Sequence, residues 1–247
     1  LKLLHLDIET APSKAFVFGL FGQDISIKNI DEAGYTLCWA AKWHGKRSMY
    51  FDSVHKSGMG GMIKGIYNLL DEADAVVHYN GKKFDIPVLN GEFVKMGLTP
   101  PAPYQQIDLY SVVRTNFKFV SNKLDWVCQE LGLGNKVQHK GIELWKGCMA
   151  GDDKSWRDME RYNRQDVRLL PKLYERLLPW INKHPNWAHY IEEGDKPICR
   201  NCKSTRMKSK GIEKTTIIPY RRYKCLDCGR YSKGRLRVGP APRGLTV

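Results

Sequence analysis

No apolar run in the sequence approaches the ~20 residues that a membrane-spanning helix needs, and no signal peptide is visible at its start. Both absences point to a cytoplasmic protein. Acid is scarce at one end: residues 195–247 carry 3 Asp and Glu against 15 Lys and Arg, whereas residues 1–194 carry 23 against 25. Of the net charge of +14, the last fifth of the chain therefore holds +12. A basic surface of that density attracts polyanions, of which nucleic acid is the commonest; a solvated basic tail is the bland alternative. Cysteine is sparse outside that stretch. Cys38, Cys128 and Cys148 stand alone in apolar or helical settings and read as ordinary thiols. The other four make two Cys-x-x-Cys pairs, Cys199/Cys202 and Cys225/Cys228, with 22 residues between them. Two such knuckles can close one tetrahedral thiolate site for a structural Zn2+; disulfides are the alternative, uncommon in a reducing cytosol.

At 247 residues and 42% hydrophobic composition, the chain can bury one good core and a small appendage. The apolar run over residues 3–8 predicts a buried strand, and further strands are expected over 35–43, 48–52, 75–79 and 106–109. Met62, Ile66, Leu69 and Leu70 have helical spacing, as do Leu124, Val127 and Leu131, where Gly132 supplies a stop. Another helix starts at Asp85, with Pro87 tolerated in its first turn. The last long helix is expected to begin near Ser155, with Asp158 completing a capping-box-like start, and to kink just beyond Asp166, where Pro171 clashes with the carbonyl of Val167. Hairpin strands followed by helix-strand units imply an α/β fold, a mixed sheet flanked by helices. The expected division is a main domain over 1–190, a basic four-cysteine zinc ribbon over 195–238 and a flexible tail over 239–247.

Acidic residues carry the chemistry. Asp7 and Glu9 close the first strand, and side chains two apart on a strand leave the same face, so the pair offers oxygen ligands to Mg2+ or Mn2+. A second Asp-x-Glu, Asp158-Met159-Glu160, falls in a helix, where residues two apart diverge by roughly 200°. Tyr162 and Asp166, four apart, share a face of the last helix. The same spacing recurs at Tyr67/Asp71, Tyr104/Asp108 and Tyr223/Asp227, so only position in the final helix singles out Tyr162/Asp166.

Taken in order, Asp7-Ile8-Glu9-Thr10, then His78-Tyr79-Asn80-Gly81 with Phe84-Asp85, then Tyr162-Asn163-Arg164-Gln165-Asp166 resemble the three motifs of the DEDD, or DnaQ-like, 3′-to-5′ exonuclease superfamily. Leu124-Asp125-Trp126-Val127 and Leu131-Gly132-Leu133-Gly134 resemble the segment these enzymes carry between the last two motifs, and the likeness covers roughly residues 1–180. Where the histidine type would place His, five residues before Asp166, this chain has Arg161, so it is similar to the tyrosine type. Residues 11–43 and the cysteine module further resemble stand-alone exonucleases of bacteriophages, which implies the cytosol of a bacterial or phage-infected cell.

The resemblance implies a ribonuclease H-like fold and a two-metal centre for phosphodiester hydrolysis. Asp7 would bridge both ions, Glu9 and Asp166 complete one site, Asp85 hold the second ion, and Tyr162 orient the attacking water or else serve as a half-buried core residue. Thr10, His78 and Asn80 would meet the sugar or phosphate of the scissile end, although a histidine at a strand end is as readily structural. Phe18 and Phe21 either stack on terminal bases or pack in the core. Arg221, Arg222 and Tyr223, between the cysteine knuckles, either track phosphates and stack or dock a protein. The implied substrate is the 3′ end of single-stranded DNA, with a DNA polymerase or replication protein as a partner in trans. RNA trimming and a non-catalytic polymerase-accessory role are the competing readings.

Overall fold

The computed structural model describes residues 1–191, 196–215 and 218–239; the expected tail beyond Gly239 lies outside them. The chain forms two compact units, Lys2–Leu173, and Tyr174–Val247 together with Leu1.

The first unit is built on a five-stranded sheet. Its strands are β1 (Leu3–Thr10), β4 (Thr36–Trp43), β5 (Tyr50–Ser53), β6 (Ala75–His78) and β7 (Gln105–Asp108), in the order β5-β4-β1-β6-β7. β4 runs antiparallel to β1 and β5, while β6 is parallel to β1 and β7, so the sheet is mixed as expected. A hairpin of β2 (Lys14–Ala15) and β3 (Ile30–Glu32) stands apart from it. On one face Leu4, Leu6 and Ile8 pack with Met62, Ile63, Ile66 and Leu70 of α1 (Val54–Glu72) and Ile86, Leu89 and Phe93 of α2 (Asp85–Lys95). On the other, Leu37, Cys38, Ala40 and Phe51 pack with α5 (Ile142–Met149) and α6 (Asp153–Leu177) through Leu144, Cys148, Trp156, Met159 and Tyr162. Two shorter helices, α3 (Leu109–Asn116) and α4 (Leu124–Glu130), complete the unit. Strand alternation on β1 thus sends Leu4, Leu6 and Ile8 into the first layer and turns the residues between them to the opposite face.

Two local expectations need correcting. Helix α6 begins at Asp153, earlier than Ser155, because the Asp152 carboxylate accepts the Ser155 backbone N–H at 2.8 Å and its hydroxyl at 2.7 Å and so acts as the cap. The helix continues through Pro171 to Leu177, with Val167, Leu169, Leu170 and Leu173 buried on both sides of the proline. Residues 16–21 form no core, since Phe16, Phe18, Leu20 and Phe21 all lie open to solvent.

In the second unit β8 (Met207–Lys214), β9 (Pro219–Cys225) and β10 (Tyr231–Arg237) make an antiparallel sheet with β9 central. The sulfurs of Cys199, Cys202, Cys225 and Cys228 lie within 4.8 Å of one another. Cys199–Cys228 and Cys202–Cys225 separations of 3.6 and 3.5 Å exclude disulfides, whose sulfurs lie near 2.05 Å. The first knuckle is tied down by Asn201, whose buried amide donates to the carbonyls of Leu178 and Ile181 at 2.8 and 3.1 Å.

Candidate active site

Because Leu6 and Ile8 of β1 point into the α1–α2 layer, Asp7 and Glu9 must point toward α6. Helix α6 brings Asp166 to meet them: one oxygen from each of Asp7, Glu9 and Asp166 lies within 4.8 Å of the others. Asn163, one turn earlier on α6, donates its amide to Asp7 Oδ2 at 2.7 Å and fixes that carboxylate. The Asp158-x-Glu160 copy instead sits in surface pairs with Arg161 at 3.0 Å and Arg164 at 2.7 Å.

Asp85 is held differently from the other three. β6 pairs with β1 only at Leu3, Leu4 and His5, which leaves the same edge of β1 uncovered farther along. Asp85, the first residue of α2, fills that gap by accepting the Ile8 backbone N–H at 3.0 Å through Oδ1. One of its oxygens is thereby committed to the strand, and the residue stands outside the tight group of three.

Gathering carboxylates in a buried place costs ionisation. Burial, then repulsion from Asp85, Asp166 and Glu9, holds Asp7 well above the usual carboxylate range. Burial and the Asp166 charge push Glu9 up to about 8, and burial takes Asp85 to about 7 against the opposing Ile8 hydrogen bond. The group that offsets this repulsion escaped the sequence. Lys136, in the loop after α4, places its ammonium on Asp166 Oδ2 and 3.4 Å from the Tyr162 hydroxyl. Burial disfavours its charge, but the attraction of Asp166 and Tyr162 outweighs burial and raises the Lys136 pKa. Asp166 Oδ1 is buried with no hydrogen-bond partner among the described residues. An all-oxygen donor set, a buried oxygen without a partner and a cation already drawn to the cluster all fit a hard divalent ion.

Tyr162 lies one turn from Asp166 and is buried against His139 and Trp145, with ring centroids 4.8 and 6.0 Å away. Burial first, and then the charges of Glu9 and Asp166, raise its pKa, so its hydroxyl keeps its proton at neutral pH. Two clefts open beside the cluster. One, about 550 Å³, is lined by Asp7, Tyr79, Asn80, Tyr110, Asn122 and Lys136. The other, about 380 Å³, is lined by Thr10, Pro12, His139, Gly141, Ile142 and Trp145.

Asn80 and Thr10 thus face clefts, whereas His78 does not. It is 0% exposed, with Nε2 against Gln106 at 3.2 Å and Nδ1 accepting the Gly81 N–H at 3.0 Å, leaving no nitrogen for a sugar or phosphate. The expected contact is replaced by a structural one: His78 shapes the turn that leads to Asp85. A Cβ on Gly81 would come within 2.5 Å of the His78 ring, so only glycine fits there. Asn80, at φ 68°, is held by its N–H to Asp108 Oδ1 at 2.9 Å. Phe18 and Phe21 are 100% and 92% exposed. Arg221, Arg222 and Tyr223 lie on β9 of the second unit. Lys136 and His139 had no periodic pattern or motif to mark them; Asn163 sat unread inside the third motif.

A mixed sheet of this order, helices on both faces and carboxylates at its central strand define a ribonuclease H-like protein. Residues 4–178 match the model of the RNase H superfamily, and the chain belongs to that superfamily. Among solved structures it is similar to the family B DNA polymerase of the hyperthermophilic archaeon Pyrobaculum calidifontis, with a TM-score of 0.56 and 21% identity over 72% of this chain. The likeness is one of fold, and this protein spans 25% of that polymerase. No curated protein sequence matches the chain.

Proposed function

We propose that the protein is a divalent-metal-dependent nuclease, and more narrowly a tyrosine-type 3′-to-5′ exonuclease that removes nucleoside monophosphates from single-stranded DNA. The convergence of Asp7, Glu9 and Asp166 within 4.8 Å beside Tyr162 carries this reading. When bound, Mg2+ or Mn2+ would supply charge stabilisation and an acidified water for phosphodiester hydrolysis. Asp7, Glu9 and Asp166 are the residues that would hold it, with Asp85 contributing through the oxygen that Ile8 leaves unused. Asn163 keeps the Asp7 carboxylate turned toward the cluster. Tyr162 remains protonated and acts by donating a hydrogen bond that orients the attacking water. Lys136 has a flexible stem and a neighbouring cleft, and it can pass from Asp166 to a substrate phosphate as the strand enters. Thr10 and Asn80 serve the terminal nucleotide from the two clefts. Phe18 and Phe21, with no core to satisfy, are free to stack on bases. Four thiols without an open position suit a structural Zn2+ at Cys199, Cys202, Cys225 and Cys228.

The test is digestion of oligonucleotides labelled at the 3′ or the 5′ end, with and without Mg2+. The label at the 3′ end should leave first as mononucleotide, only with metal, and Asp7→Ala should abolish release. Loss of the 5′ label first would overturn the polarity, and unchanged release by Asp7→Ala would overturn the site. Matched RNA degraded faster than DNA would overturn the substrate.

A further inference from the structure

The second unit presents a sheet whose two faces differ in chemistry. Paired residues on neighbouring antiparallel strands share a face, and the register sets Lys208 and Tyr231 against Lys224, and Lys233 against Arg222. Ring contacts agree: the cations of Arg222 and Lys224 each lie 5.7 Å from the Tyr231 centroid, and that of Lys233 lies 5.2 Å from Tyr220. Arg237 stands opposite Tyr220 on the same side, and Glu213 is the one acid there among the described residues. Arg221 and Tyr223 turn the other way, beside Gly234, where a Cβ would meet the Tyr223 ring at 3.5 Å and Arg221 Cβ at 4.0 Å.

We propose that the face bearing Lys208, Tyr220, Arg222, Lys224, Tyr231 and Lys233 is a binding surface for single-stranded nucleic acid, read without regard to sequence. It is distinct from the carboxylate centre and does not depend on hydrolysis. Cations in this number on three adjacent strands complement a phosphate chain, and one carboxylate among them leaves the field positive. Tyr231 is 48% exposed and flanked by two cations, which hold its ring while leaving surface for a base. Aromatic rings among basic groups suit unpaired bases, whose faces are open, better than a duplex, whose bases are already stacked. An acidic protein surface would use the charges but has no need of the rings.

Neighbouring arginines on opposite faces give the test its discrimination. Binding of a fluorescein-labelled oligothymidylate to the full chain carrying Asp7→Ala is followed by anisotropy without added Mg2+ or Mn2+, so that nothing is hydrolysed and no chelator reaches the thiol cluster. Arg222→Glu should weaken binding at least fivefold and flatten the salt dependence, whereas Arg221→Glu should cost less than twofold. Tyr220→Ala with Tyr231→Ala should weaken it at least fivefold with the salt slope kept. Should the charge reversals disturb folding, Arg222→Gln and Arg221→Gln make the same comparison. Equal losses from both arginines would overturn the assignment to this face. An unchanged affinity after loss of both tyrosines, or equal competition by duplex, would overturn the single-strand preference.

Discussion

The two ligand clusters of this protein are assembled in opposite ways. The thiols come from two tight knuckles within 30 residues, and a Zn2+ held among them, as proposed, would close them into one folded unit. The carboxylates come from a strand and a helix 157 residues apart, set in a core that stands without them, and Lys136 already balances part of their charge. On that reading one cluster would hold a small fold together, whereas the other is held by a large one. Loss of an ion should therefore unfold the first region and only alter the titration of the second.

The largest effect expected from that contrast is in the cysteine unit. Cys199→Ser, or treatment with a strong zinc chelator, should expose the second unit to limited proteolysis while Lys2–Leu173 remains resistant. Resistance of both units after zinc removal would show that the thiols are merely neighbours. Next in size, Tyr162→Phe should lower kcat about 100-fold with KM nearly unchanged, because the ring still fills its place against His139 and Trp145. A fall in thermal stability with turnover intact would make Tyr162 a packing residue.

A smaller effect concerns pH. Glu9 at about 8 and Asp85 at about 7 have folded values above the unfolded ones near 4. Their contribution to stability is therefore complete below pH 4 and is lost as pH rises through 7 to 8. In EDTA the melting temperature of the first unit should fall between pH 5 and 9, and Mn2+ should restore it at the alkaline end. Lys136→Met should steepen that fall and, by removing the competing cation, tighten Mn2+ binding several-fold without substrate. Weaker Mn2+ binding in the variant would contradict the competition. Smallest of all, Asp158→Asn with Glu160→Gln should leave Mn2+ affinity unchanged, since those carboxylates pair with Arg161 and Arg164 on the surface.

Much of this contrast was legible along the chain, and the reasons are local. The apolar run ending in Asp7 and Glu9 fixes both a buried strand and the face its acids take, because strand period and burial are properties of adjacent residues. The stripe around Tyr162 and Asp166 does the same for α6. That helix starts before Ser155 because Asp152, one turn earlier, caps it by accepting from Ser155. Phe18 and Phe21 left core packing and base stacking both open in the sequence, and the structure sets residues 16–21 outside the core between β2 and β3. Apolarity states a preference for burial and not the presence of a cover.

From the sequence alone came the mixed α/β sheet, the cysteine knuckles and the carboxylates, since each rests on period, spacing or order within a short window. Only the tertiary structure could commit an Asp85 oxygen to the Ile8 N–H, bury His78 beneath Gly81, and carry Lys136 across 30 residues to Asp166. Those outcomes depend on where one strand stops covering another and on which loop closes over the helix. Such distances follow from the packing of the whole unit, and no window of neighbouring residues contains them.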